Sequence, residues 1–135
     1  LVDAYDKAEP GTRDAFESMR PELIKNFKEC LKNGVKIAAG TDNTYWDAPG
    51  IAWEIYSYVK HGGMKPMDAI VSATKTNAEN SALPDVGTLE RGKYADIILV
   101  KGDPLEDISV LQDKNNIVKV IKEGSVLVDS GSINW

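Results

Sequence analysis

The chain holds one cysteine and one histidine, Cys30 and His61. A single cysteine excludes an internal disulfide and any zinc cluster built on several thiolates. Cys30 lies among Phe27, Leu31 and Lys32, where a thiol is expected to be core-facing or half-buried on a helix rather than nucleophilic. Positive charge is scarce as well: 16 basic residues against 21 acidic ones leave a formal net charge of -5. No stretch gathers Lys and Arg into a stripe that could track a phosphate backbone, so no nucleic-acid partner is expected. No apolar run approaches the roughly 20 residues that a membrane-crossing helix needs, so no membrane partner is expected either. The first residues lack the basic then apolar order of a signal peptide. These absences fit a cytoplasmic protein, although a start at Leu1 leaves a processed upstream segment, and a secreted or periplasmic parent, open. There is no internal repeat. "GDPLED" lacks the Gly-Lys-Ser/Thr of a phosphate loop, and Gly87, Gly92 and Gly102 read as turn positions.

What is present suffices for one ordinary domain: 135 residues with 42% hydrophobic side chains can bury a sizeable core. "LVDAYDKAEPGTRDAFESMR" is weakly patterned and broken by Pro10-Gly11, so loop followed by a short helix is expected. In "PELIKNFKECLKN" Leu23, Ile24, Phe27, Cys30 and Leu31 recur at helical spacing, with Pro21 in the first turn and Gly34 placed to stop the helix. Val35, Ile37 and Ala39 then alternate with Lys36 and Ala38, a short strand pattern bounded by Gly34 and Gly40. Helix, Gly, strand, Gly-Thr-Asp is the rhythm of an α/β unit, whose function tends to sit beyond the carboxyl end of the strand. Asp42 stands at that end.

Past the loop "NTYWDAPG", a helix is expected over 51–61, with Ile51, Ala52, Ile55, Tyr58 and Val59 on one side and Gly62-Gly63 as its stop. Asp47 reads as a turn or helix-start residue, and Trp53 and Tyr56 as packing. Another helix begins near Pro66, with Met67, Ile70, Val71 and Thr74 sharing a face. A short one follows, where Thr76 and Glu79 have the spacing of a capping box. From Val86 the pattern turns to β. Strands are expected over 95–100, 117–121 and 125–128, the last two joined by a tight turn at Glu123-Gly124. Asp96, Asp103, Glu106 and Asp107 are expected to be structural or solvent-facing. Three strands make a marginal sheet, so this part should need other elements to lie on. The expected division is 1–84 and 85–135.

Two stretches carry a family resemblance. "GVKIAAGTD" resembles the last barrel strand of the metal-dependent amidohydrolase superfamily, and "VGTLERGKYADIILVKGDPLEDISVL" with "VIKEGSVLVD" is similar to its C-terminal strand segment. Between them, "HGGMKPMDAIVSATKTNAENSAL" resembles the helical stretch that joins the two, most closely in the imidazolonepropionase-like and Xaa-Pro dipeptidase-like branch. The resemblance implies an α/β fold: the C-terminal fragment of a TIM-barrel amidohydrolase, with the last barrel strand and helices in 1–84 and part of the small β-sandwich domain in 85–135. A whole barrel takes roughly 250 residues, so the chain could be only a piece of one.

On composition alone, Asp42 reads as a turn or capping carboxylate. The resemblance instead implies that Asp42 binds a catalytic divalent metal, usually zinc, and accepts the proton of the attacking water, with Thr41 available to support it. Asn43, Tyr45 and Trp46 would then lie in the substrate-binding loop. The family's His-x-His pair, its carboxylated Lys or Glu and its two further His ligands have no counterpart here, and His61 matches no ligand position. A zinc site takes three protein ligands, so these residues by themselves are expected to be inactive and not to retain the metal. The implied function is hydrolysis of an amide, peptide or cyclic amide C–N bond in a longer parent. Its substrate would be a small amide or dipeptide-like molecule, its partner the missing N-terminal barrel portion, with a homo-oligomer open. The alternatives are a deaminase of a heterocyclic amine and a non-catalytic scaffold or partner module.

Overall fold

A computed structural model describes residues 10–41 and 50–130. The described residues begin with one long helix, α1 (Pro10–Lys32), where two helical pieces were expected; the loop expected ahead of it falls largely on residues 1–9, outside the described residues. Pro21 sits inside it, where its missing N–H removes a single ladder bond without ending the helix. The stop at Gly34 is as expected: Gly34 N–H donates to the Leu31 carbonyl and Val35 N–H to the Cys30 carbonyl, each at 3.0 Å, which closes a Schellman motif. Phe27 and Leu31 face the core, but Leu23 and Cys30 are exposed. The expected burial of Cys30 is therefore corrected: its turn of α1 lies on the solvent side of the stripe that Phe27 and Leu31 define.

Helix α2 (Ile51–Lys60) ends at the glycine pair. A Cβ on Gly62 would run into the Phe27 ring and come within 2.6 Å of the Tyr58 carbonyl, so only glycine lets the chain turn under Phe27. Helix α3 (Pro66–Val71) runs through a π turn (Ser72–Thr76) into α4 (Asn77–Asn80). The helical run is continuous. Thr76 has helical φ and ψ and makes no side-chain cap, so the expected capping box does not form.

Three antiparallel strands, β1 (Ile97–Val100), β2 (Ile117–Lys122) and β3 (Ser125–Asp129), form a sheet in the order β1-β2-β3. Glu123 and Gly124 both take positive φ, 51° and 80°, the type I′ geometry that matches strand twist. Asp96 secures this hairpin: its Oδ2 accepts from Lys122 Nζ at 2.6 Å and its Oδ1 from the Glu123 N–H at 2.8 Å. Asp103 and Asp107 accept backbone N–H groups of Leu105 and Ser109, the structural role expected of them. Val126, Leu127 and Val128 in β3 are all exposed. No described helix is long and apolar enough to cross a membrane.

The core gathers Ala39, Ile55, Met64, Ala69 and Ile108. Ile108 opens a 3-10 turn (Ile108–Gln112) whose N-cap Asp107 accepts the Ser109 N–H. It is 1% exposed and brings the segment between β1 and β2 against the helices. Ile108→Ala should cost roughly 2–5 kcal/mol in denaturant unfolding, whereas Leu89→Ala, at a site 75% exposed, should stay within about 0.5 kcal/mol. Lys122 and then the Glu123 N–H hold the Asp96 carboxyl below its usual range. A depressed carboxylate stabilises the fold above its unfolded pKa, about 3.9, and that contribution is lost as pH falls through the folded value. Asp96→Asn should therefore flatten the acid limb of stability against pH, read from thermal midpoints.

Candidate active site

The sequence directs attention to residues 35–41, which lead to Asp42. Asp42, Asn43, Tyr45 and Trp46 lie outside the described residues, so the site is built from what precedes and surrounds them. The alternation over 35–39 predicts a strand, yet the segment pairs with none of the three described strands. Its backbone is held by side chains and a helix carbonyl instead. The Ala39 N–H donates to Asn77 Oδ1 at 2.9 Å, and Asn77 Nδ2 donates to the Ala39 carbonyl at 2.8 Å. The same N–H lies 3.4 Å from the Ser72 carbonyl. Lys36 reaches Glu79 at 3.1 Å, an exposed ion pair of small worth. Ala39 itself is buried in the core cluster.

The π turn makes this arrangement available. It stacks residue i over i+5, so Ser72 and Asn77 lie one above the other and address the same residue. With α spacing, Thr76 would have taken that place. Ser72 is buried and its hydroxyl donates to the Ala69 carbonyl at 2.7 Å, while the Thr74 hydroxyl donates to the Ile70 carbonyl at 2.8 Å. Asn77 was no candidate on sequence, because an Asn among helix residues carries no pattern that announces a contact 38 residues away.

On the neighbouring helix, the Tyr58 hydroxyl donates to Glu54 Oε1 at 2.5 Å and lies 3.4 Å from the Ala38 carbonyl. One proton serves one strong bond, and the shorter distance assigns it to Glu54. Burial first, then the Glu54 hydrogen bond and charge, push the Tyr58 phenol well above its ordinary range. Glu54 Oε2 is buried and has no hydrogen-bond partner among the described residues. Phe27 packs on Tyr58 with ring centroids 4.8 Å apart, and Trp53 meets Tyr56 edge-on, as packing aromatics.

His61 is the C-cap of α2, at the end of the helix expected over 51–61. Its Nε2 accepts from Arg20 Nη2 at 3.4 Å, since a guanidinium can only donate. Among the described residues no three His, Cys, Asp or Glu side chains gather closely enough to hold a metal ion. Those residues do not fit a metal centre by themselves.

Residues 15–127 match the amidohydrolase family. Ochratoxinase from Aspergillus niger is 38% identical over an alignment of 125 residues that covers 89% of this chain and 25% of the relative. Imidazolonepropionase from Symbiobacterium thermophilum is 28% identical over an alignment of 109 residues that covers 78% of this chain and 26% of the relative. The crystal structure of A. niger ochratoxinase superposes with a TM-score of 0.76 at 34% identity, covering 93% of this chain and 29% of that one. That of a Xaa-Pro dipeptidase with bound methionine in the active site gives 0.73 at 39%, covering 86% and 28%. The chain thus spans about a quarter of the length of the curated relatives it matches.

The Tyr58 and Glu54 pair yields a titration test. A raised phenol pKa stabilises the fold below the unfolded value, about 10, and that contribution is lost as pH climbs through the folded one. Alkaline difference spectroscopy should show one tyrosine ionising late. Glu54→Gln should move that tyrosine part of the way back, since burial, the larger cause, persists; an unmoved transition would mean Glu54 has no part in it.

Proposed function

The chain belongs to the amidohydrolase family, and on that premise we propose that it serves in hydrolysis of an amide, peptide or cyclic amide C–N bond, with Asp42 as proton acceptor. The observation that carries this reading is the family match across residues 15–127, which includes Gly40-Thr41-Asp42. In the reaction, the Asp42 carboxylate takes a proton from water as its oxygen attacks the carbonyl carbon. The C–N bond then breaks and the proton passes to the leaving nitrogen, giving a carboxylic acid and an amine.

The same proposal extends to a longer enzyme in which residues 1–84 form the end of a TIM barrel and 85–135 part of a small β domain. The unpaired 35–41 segment and the exposed β3 support it, because both present groups that neighbouring strands would cover. The family is generally metal-dependent. Zinc as the metal and Asp42 as one ligand belong to the proposal, with the other ligands supplied from outside the described residues. Asn43, Tyr45 and Trp46, directly after Asp42, are the proposed substrate contacts. The neighbouring Xaa-Pro dipeptidase and imidazolonepropionase argue for small amide or dipeptide-like substrates.

In the full-length enzyme, assayed on a panel of N-acyl amino acids and dipeptides, Asp42→Asn should lower turnover by roughly 10²–10⁴-fold with the fold intact by circular dichroism. Turnover within a few-fold of the unsubstituted enzyme would sink the role assigned to Asp42.

A further inference from the structure

We propose that Asn77 is a positioning residue for this hydrolytic site, fixing through the backbone of Ala39 the segment that delivers Asp42. The inference rests on the reading of Asp42 given above. Its geometry does not. A side-chain amide that exchanges two hydrogen bonds with one residue, Ala39 N–H to Oδ1 at 2.9 Å and Nδ2 to the Ala39 carbonyl at 2.8 Å, reproduces the two-bond exchange of paired residues in an antiparallel ladder. Asn77 stands where a neighbouring strand residue would.

Three features make this pairing directional rather than mere packing. Ala39 is buried, so water is a poor substitute partner for its N–H and carbonyl. The π turn places Asn77 over Ser72, whose carbonyl faces the same N–H, so two successive helical turns converge on one residue. Gly40 follows immediately and is exposed, and glycine has the widest backbone freedom of any residue. Among the described residues, Ala39 is thus the last before Asp42, three positions on, whose backbone is held by hydrogen bonds. The choice of side chain agrees. Ala is the better helix former, and Asp has the same shape but would set a carboxylate oxygen against the Ala39 carbonyl; only the amide carries both a donor and an acceptor.

The test uses the full-length enzyme with Asn77→Ala, Asn77→Asp, Asp42→Asn and, as a surface control, Lys36→Ala. Each is assayed well below its thermal midpoint, with the folded fraction measured by circular dichroism. Both Asn77 variants should lose at least about tenfold in kcat per folded enzyme with KM changed by less than about threefold, because misplacing a reacting group slows the chemical step. Amide hydrogen exchange should rise at Ala39 and its neighbours while β2 stays protected. Lys36→Ala should match the unsubstituted enzyme. Asn77 variants with kcat within about twofold of the unsubstituted enzyme, alongside an inactive Asp42→Asn, would overturn the positioning role. An active Asp42→Asn would instead remove the reading of Asp42, and unchanged exchange at Ala39 would overturn the pinning itself.

Discussion

Every backbone N–H and carbonyl taken out of water needs a partner, and Ala39, the buried residue of the 35–41 segment, meets that demand without a neighbouring strand. Ala39 is buried between helices, yet its two backbone groups are answered by one asparagine and one helix carbonyl. Much of the helical half follows from that arrangement. The run that begins at Pro66 must present Ser72 and Asn77 together, which a π turn allows and an unbroken α-helix would not. Helix α2 must pass close enough for Ile55 to share the core with Ala39, and the turn at Gly62 must leave room for Phe27.

The β half joins the same core through the 3-10 turn, where Ile108 is buried and Leu111 packs against it. Ile108 sits among Ala39, Ile55, Met64 and Ala69, so the segment between β1 and β2 is anchored to the helices by apolar burial. The sheet itself is held by its hairpin, where Asp96 ties together the start of β1 and the turn. Its outer strand exposes Val126, Leu127 and Val128. A surface of that kind is a template for further strands or a cover, which agrees with a chain that spans about a quarter of its relatives.

The sequence was most legible where local chemistry decides structure. Gly34 as a helix stop, Gly62-Gly63 as another and the tight turn at Glu123-Gly124 all depend on residues close at hand or on strong turn preferences. It misled where distant partners decide. The alternation of Val35, Ile37 and Ala39 predicts a strand, but a ladder needs a second strand, and no described one lies beside it. Thr76 and Glu79 have capping-box spacing, but the helix is already running when it reaches them. Cys30 has the helical spacing of a core position and lies on the exposed side of it. Asn77 could not be picked out, because its importance lies in a contact with Ala39 that no local pattern encodes. The amidohydrolase resemblance, by contrast, could be read directly from "GVKIAAGTD" and the segments after it, since short motifs in a fixed order survive where contacts are invisible. Asp42 becomes a catalytic candidate only through that resemblance.

The Asp42 carboxylate either supports chemistry or only caps a turn. The most direct test is a crystal structure of the full-length protein with anomalous data collected at the zinc edge. The account predicts an Asp42 oxygen at about 2.0–2.2 Å from a bound metal ion, in a cleft open to substrate. A metal centre that leaves Asp42 out, or an Asp42 side chain turned back to cap the following helix, would contradict it.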